Sequence, residues 1–226
     1  MLASTEWLAE RLDDPSLRIV DCDELAGYQR LHIRGAVGLR THHYLKDSGG
    51  VHLMGPEQFE AVMSSHGIGN EHTVVAYDNS GGVYAARLWW ALERYGHNPP
   101  VADKLLNGGF RSWYQEGRPV TQEQSHTEPA EFRAVPAAGD NLCTIDDVRA
   151  AIEDPNTVIW DVRSTAENAG SDERPNRRHG HIPGAVHMEW LDMTAPRGSG
   201  LLLPPDEIRA KLEALGVTPE KAVLTH

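Results

Sequence analysis

Two aspartates and one guanidinium stand where a parallel sheet would present them for chemistry. Asp21 closes the run Arg18-Ile19-Val20-Asp21, and Asp161 closes Thr157-Val158-Ile159-Trp160-Asp161. A carboxylate at a strand's carboxyl end accepts loop N–H bonds or pairs with an arginine. Arg163, two residues after Asp161, is such an arginine, and the pair reads as loop-supporting or substrate-binding. Arg174, Arg177 and Arg178, followed by His179, make a basic stretch that can steer an anion, or simply form an exposed loop. Asp78 ends a third run, Thr73 to Tyr77, and opens the polar, glycine-rich turn Asp78-Asn79-Ser80-Gly81-Gly82. Cys22 and Cys143 are the only cysteines and show no CxxC or zinc-like spacing, so both read as structural thiols. His179, His181, His187 and His226 match no short metal motif, and neither a metal nor a cofactor is expected.

These residues sit inside a repeat. His32-Ile33-Arg34-Gly35-Ala36-Val37 recurs as His181-Ile182-Pro183-Gly184-Ala185-Val186, an offset of 149 positions. Pro56-Glu57 and Pro205-Asp206 keep that offset, as do Val74 to Tyr77 and Val223 to His226. Three matches at one offset indicate a duplicated αβ unit. The paired His32 and His181 suggest local hydrogen bonding in a backbone turn rather than catalysis.

The elements that must position these groups alternate along the chain. Ser4 or Thr5 caps a helix through Leu12, and Arg18 to Cys22 is a buried strand. Tyr28 to Gly38 reads as loop and short strand. Pro56 starts a helix to about His66 with Phe59, Val62 and Met63 at helical spacing. Thr73 to Tyr77 is a central strand, Val83 to Tyr95 a helix, Val101 to Leu106 a strand and Gly109 to Gln115 a short helix. In the second copy, Thr144 and Asp147 form a capping arrangement ahead of a helix, and Thr157 to Asp161 is a strand. Pro205 to Leu215 is a helix and Ala222 to Thr225 a strand. Strand–helix alternation implies parallel α/β domains, in which ligands bind beyond the carboxyl ends of the strands. The divisions are residues 1–120, a Pro- and Glu-rich linker at 121–140, and 141–226.

Bulk composition narrows the partners. The 226 residues carry 33 acidic and 21 basic side chains, a formal net charge of −12. That disfavours nucleic acid and anionic membranes but leaves room for a small anion at a local basic loop. No signal-like leader or membrane-length apolar run is seen, and two unpaired cysteines suit a reducing cytoplasm.

Taken in order, the pieces resemble the rhodanese family of sulfurtransferases, and more closely its two-domain thiosulfate or 3-mercaptopyruvate members. The first copy contributes Ile19-Val20-Asp21, His32 to Val37, Val74 to Asp78, Ala85-Ala86-Arg87 and Leu106-Asn107-Gly108-Gly109-Phe110 with Trp113. The second contributes Asp161-Val162-Arg163-Ser164 and Gly180 to Val186. The resemblance implies an α/β protein of two tandem rhodanese-like domains with parallel sheets flanked by helices, the second incomplete in this chain. It further implies a cysteine directly after the strand matching Val223 to His226. That cysteine takes sulfane sulfur as a persulfide and passes it to a thiophilic acceptor such as cyanide or a thiol. Asp78 is then the noncatalytic counterpart of the nucleophile, and no residue of the chain is assigned as catalytic. The segment alone is expected to be inactive, with a separate C-terminal fragment of the same protein as a possible partner. Glu167 falls where mercaptopyruvate-type relatives carry an arginine, which favours thiosulfate over 3-mercaptopyruvate as donor. A noncatalytic rhodanese-like scaffold is the alternative if the chain is complete at 226.

Overall fold

The computed structural model of the chain describes residues 1–39, 45–135, 142–172 and 177–226. It divides into two compact units, Met1–Gly139 with Ser199–Leu201, and Asp140–Gly198 with Leu202–His226.

In the first unit, β1 (Leu2–Ala3) leads to α1 (Thr5–Ala9), which Ser4 caps by accepting a hydrogen bond from the Trp7 N–H at 3.1 Å. The helix stops short of the expected Leu12, because the chain tightens after Ala9 into turns in which the Arg11 N–H bonds to the Leu8 carbonyl at 2.9 Å, three residues back. Then come β2 (Leu17–Asp21), α2 (Leu25–Arg30), β3 (His32–Ile33) and β4 (Val37–Gly38). The helix α2 has no counterpart in the sequence reading; it lacks a side-chain cap and contains Gly27. After α3 (Pro56–Ser65) and β5 (Thr73–Tyr77) come α4 (Val83–Arg94), β6 (Lys104–Leu106), α5 (Gly109–Gln115) and β7 (Val120–Thr121).

Five strands form one parallel sheet in the order β1-β6-β5-β2-β4, while β3 and β7 pair antiparallel beside it. The pleat sends alternate residues to opposite faces, so each central strand feeds two cores. Val20, Cys22, Val74 and Ala76 pack with Phe59, Met63 and Leu88 on one face. Ile19, Val75 and Tyr77 pack with Leu8, Ile33 and Trp113 on the other. Burial on both faces is why β5 reads as an unbroken apolar run rather than an alternating one. Residues 120–135 are built onto this unit: Phe132 is 2% exposed and packs edge-on against Phe59, whereas Val135 is exposed.

The second unit contains α6 (Ile145–Ile152), β8 (Thr157–Asp161), α7 (Thr165–Ala169), β9 (Val186–His187), a single 3-10 turn at Trp190–Met193, α8 (Pro205–Ala214) and β10 (Ala222–Thr225). The expected capping box of Thr144 and Asp147 is present at the start of α6. The strands form a parallel sheet in the order β10-β8-β9, with Val158, Ile159 and Trp160 buried. The expectation of a second domain incomplete in this chain is therefore corrected. The central strand β8 is paired along both edges, and the sheet, flanked by helices, is formed through Thr225.

Candidate functional site

In the first unit the strand-to-helix turn after β5 folds around its own first residue. Asp78 is 2% exposed. One carboxylate oxygen accepts the N–H groups of Ser80 at 2.8 Å and Gly82 at 2.7 Å. The other accepts those of Tyr84 and Ala85, both at 2.9 Å. Gly82, at φ 95°, takes the left-handed conformation that turns the chain into α4. Four convergent N–H groups at the start of a twelve-residue helix make an anion cradle, and here the Asp78 carboxylate is the anion. Reading 78–82 from sequence as a structural turn misses this occupant. The signal is nonetheless present: a carboxylate preceding Ser80 and Gly82 can reach back-to-back N–H groups.

Two further carboxyls line the same sheet edge. Asp23 accepts the Asn79 N–H at 2.7 Å and the Ser80 hydroxyl at 3.2 Å. Asp21 accepts the Tyr77 hydroxyl at 2.7 Å and the Asp23 N–H at 2.9 Å. Burial pushes the Asp21 carboxyl up to about 7; the bonds from Tyr77 and Asp23 oppose this, and the nearby Asp23 and Asp78 charges add to it. Cys22, fully buried between them, has its thiol pushed well up by burial and by the same carboxylates, opposite to what a nucleophile requires.

The equivalent edge of the second unit has the opposite electrostatics. Asp161 is fully buried at the carboxyl end of β8, next to the strand β10 that precedes His226. The Arg163 guanidinium forks onto it at 2.9 and 2.7 Å, and its own N–H adds a bond at 3.0 Å. Asn168 donates to the same carboxylate at 3.0 Å. Burial acts to raise the Asp161 carboxyl, but the Arg163 and Asn168 bonds, with His226 nearby, outweigh it and hold it well below the usual carboxylate range. Arg163 also donates to the Gly180 carbonyl at 2.9 Å, tying the loop before the His181 motif to the sheet edge. His226 Nε2 lies 3.7 Å from Asp161, a buried nitrogen with no hydrogen-bond partner among the described residues, and burial lowers the imidazole despite the carboxylate.

Among the basic candidates, Arg177 and Arg178 are exposed, and Arg174 lies outside the described residues. Glu167 closes a capping box with Ser164, accepting its N–H at 3.1 Å and its hydroxyl at 2.8 Å. His181 and His187 face the backbone carbonyls of Asn168 and Arg163, and His32 lies between those of Tyr28 and Glu123. Of the repeated pair, His32 and His181, only the His32–Tyr28 contact is local in sequence; the Glu123 and Asn168 carbonyls come from 91 and 13 residues away. Asn168 and Tyr77 are not singled out by sequence. Tyr77 reaches Asp21 because the two residues are paired across β2 and β5, a register that composition does not disclose.

Two αβ units, each with an aspartate-bearing strand end beside a strand-to-helix connection, are the architecture of a family of known proteins. The model of the rhodanese-like domain matches residues 4–116 and 144–226. The chain therefore belongs to the rhodanese-like family, as two tandem domains. It is 32% identical over 238 residues to the sulfur carrier protein TtuD of Thermus thermophilus, across 100% of this chain and 81% of that protein. It is 31% identical to the thiosulfate sulfurtransferase of Bos taurus, across 99% of this chain and 80% of that one. Among solved structures, Escherichia coli SseA, described as a 3-mercaptopyruvate sulfotransferase, superposes with a TM-score of 0.84 at 28% identity, covering 99% of this chain and 87% of that chain. Membership supports sulfurtransferase chemistry in general. Among the described residues, no helix is long and apolar enough to cross a membrane.

Proposed function

We propose that this protein transfers sulfane sulfur from thiosulfate to cyanide or a thiol through a cysteine persulfide. The observation that carries the reading is the Asp78 cradle. Four N–H groups hold a negative charge at the turn after β5. The same turn after β10 would favour a thiolate over a thiol and a persulfide anion over its acid. The reading assigns the nucleophile to a cysteine at the second unit's counterpart of Asp78. Its thiolate attacks the outer sulfur of thiosulfate, the S–S bond breaks and sulfite leaves with the electron pair. Cyanide then attacks the outer persulfide sulfur, thiocyanate departs and the thiolate is restored. Arg163 is already forked onto Asp161, so its role in this reading is to position the edge beside β10. Arg174, Arg177 and Arg178 are assigned to anion steering.

Thiosulfate is preferred to 3-mercaptopyruvate because the Glu167 carboxylate stands at the start of α7, where it repels a carboxylate-bearing donor. The likeness to SseA supports 3-mercaptopyruvate as the second reading. The cytoplasm is the proposed compartment, in keeping with free Cys22 and Cys143. Steady-state thiocyanate formation with each donor tests the preference, and a higher kcat/KM with 3-mercaptopyruvate would reverse it.

A further inference from the structure

The carboxyl edge of the first unit's sheet carries a cavity that sulfur transfer does not use. It measures about 420 Å³ and is lined by Asp23, Arg30, Asn79, Phe110 and Tyr114, among others. A second hollow of about 360 Å³ shares Asp23, Gly27, Arg30 and Asn79 with it, so the two form one groove beside α2. Its volume is within the range of small-molecule sites, roughly 300–1,000 Å³.

The lining has three chemistries. Phe110 and Tyr114 lie nearly parallel with centroids 5.9 Å apart, and Tyr114 is 57% exposed, so an aromatic platform is left open to solvent. Arg30 is exposed at the end of α2, and among the described residues no carboxylate is paired with its guanidinium. Its backbone is held by the Gln122 amide, which donates to the Arg30 carbonyl at 2.8 Å. Asp23 is anchored by Asn79 and Ser80, and each of its oxygens keeps a lone pair for a further donor. The anchored Asp23 carboxylate, one available positive group and a flat apolar wall face one groove, whose lining also includes Glu24 and the Asp21 carboxyl that burial pushes up to about 7. A simple cation there meets the charge of Arg30, and a simple anion meets that of Asp23. A ligand carrying both charges on one carbon meets neither objection.

We infer that this groove binds an α-amino-acid zwitterion with a flat or aromatic side chain, its carboxylate on Arg30, its ammonium on Asp23 and its ring against Tyr114 and Phe110. The site is independent of the sulfur-transfer reading.

The probes are L-phenylalanine, 2-phenylethylamine and 3-phenylpropionate, which share the ring and differ in charge. Titration of the nitrogen-15-labelled full chain, with calorimetry alongside, reads the site through the Gly27 and Asn79 amides. Saturable shifts with L-phenylalanine are expected, and binding at least about tenfold weaker for each singly charged analogue. Arg30→Gln and Tyr114→Ala alter exposed side chains and are each expected to weaken L-phenylalanine binding at least about fivefold with the melting temperature unchanged. Equal binding of either analogue, binding untouched by both variants, or no saturable shift at Gly27 and Asn79 would each overturn the inference.

Discussion

Asp21→Asn should abolish much of the first unit's pH dependence. The Asp21 carboxyl is raised from 3.8 to about 7, chiefly by burial at the β2 edge. Below about pH 3 the carboxyl is protonated in both folded and unfolded chains, and the folded state bears no penalty. As the pH rises from there to 7, the unfolded chain releases the proton while the folded chain keeps it. Stability therefore falls across that window and levels off above it. The full loss is roughly 4 kcal/mol at 1.36 kcal/mol per tenfold change in proton affinity, of which about 3 kcal/mol falls between pH 5 and 8.5. The amide introduced by the substitution does not ionise, but it cannot accept from both the Tyr77 hydroxyl and the Asp23 N–H, at a cost of about 1 kcal/mol. Near pH 5 the variant should match the parent to within about 1 kcal/mol, and near pH 8.5 it should be more stable by about 3 kcal/mol. Hydrogen exchange of the β5 amides, from Thr73 to Tyr77, reports the unfolding of this unit without interference from the other. Comparing variant and parent at one pH cancels the intrinsic rate, so the gain should appear as about two decades of protection at pH 8.5. If both proteins lose protection in parallel between pH 5 and 8.5, Asp21 is not the group that titrates, and the account of this edge is wrong.

Asp161 should behave in the opposite sense. Its carboxyl is held low, so the stabilisation is present at neutral pH and is lost as the pH falls below about 4. Asp161→Ala should destabilise the second unit by about 3 kcal/mol at pH 7, because the buried end of the Arg163 fork loses its partner; urea unfolding followed by near-ultraviolet circular dichroism measures it. Asp78→Ala should cost about 3 kcal/mol by stranding four N–H groups, and Asp78→Asn should recover part of that in the same unfolding assay. Gly109→Ala should cost at least about 2 kcal/mol, since the new Cβ would press into the Asp78 carbonyl oxygen at a φ of +55°; an unchanged melting temperature would contradict the packing described here.

Much of this protein is legible without coordinates. The repeat at a constant offset, the β-branched runs ending in Asp21, Asp161 and Asp78, and the proline and threonine helix starts are local signals. Local chemistry decides such features, so strand β5 and helix α5 are placed to the residue. The linker is less legible: Phe132 enters the first unit's core because a single large apolar side chain finds a distant pocket, not because of periodicity. Charge states lie beyond the sequence altogether. Asp21 and Asp161 end equivalent strands, yet one is pushed up by burial among carboxylates and the other held down by Arg163 and Asn168. The Arg163 partnership is suggested by a spacing of two residues. The bonds from Tyr77 to Asp21 and from four N–H groups to Asp78 depend on strand register and on a turn's path in space. A carboxylate's energy is set by desolvation and by the donors that surround it, and only the tertiary structure brings those donors from separate segments to one point.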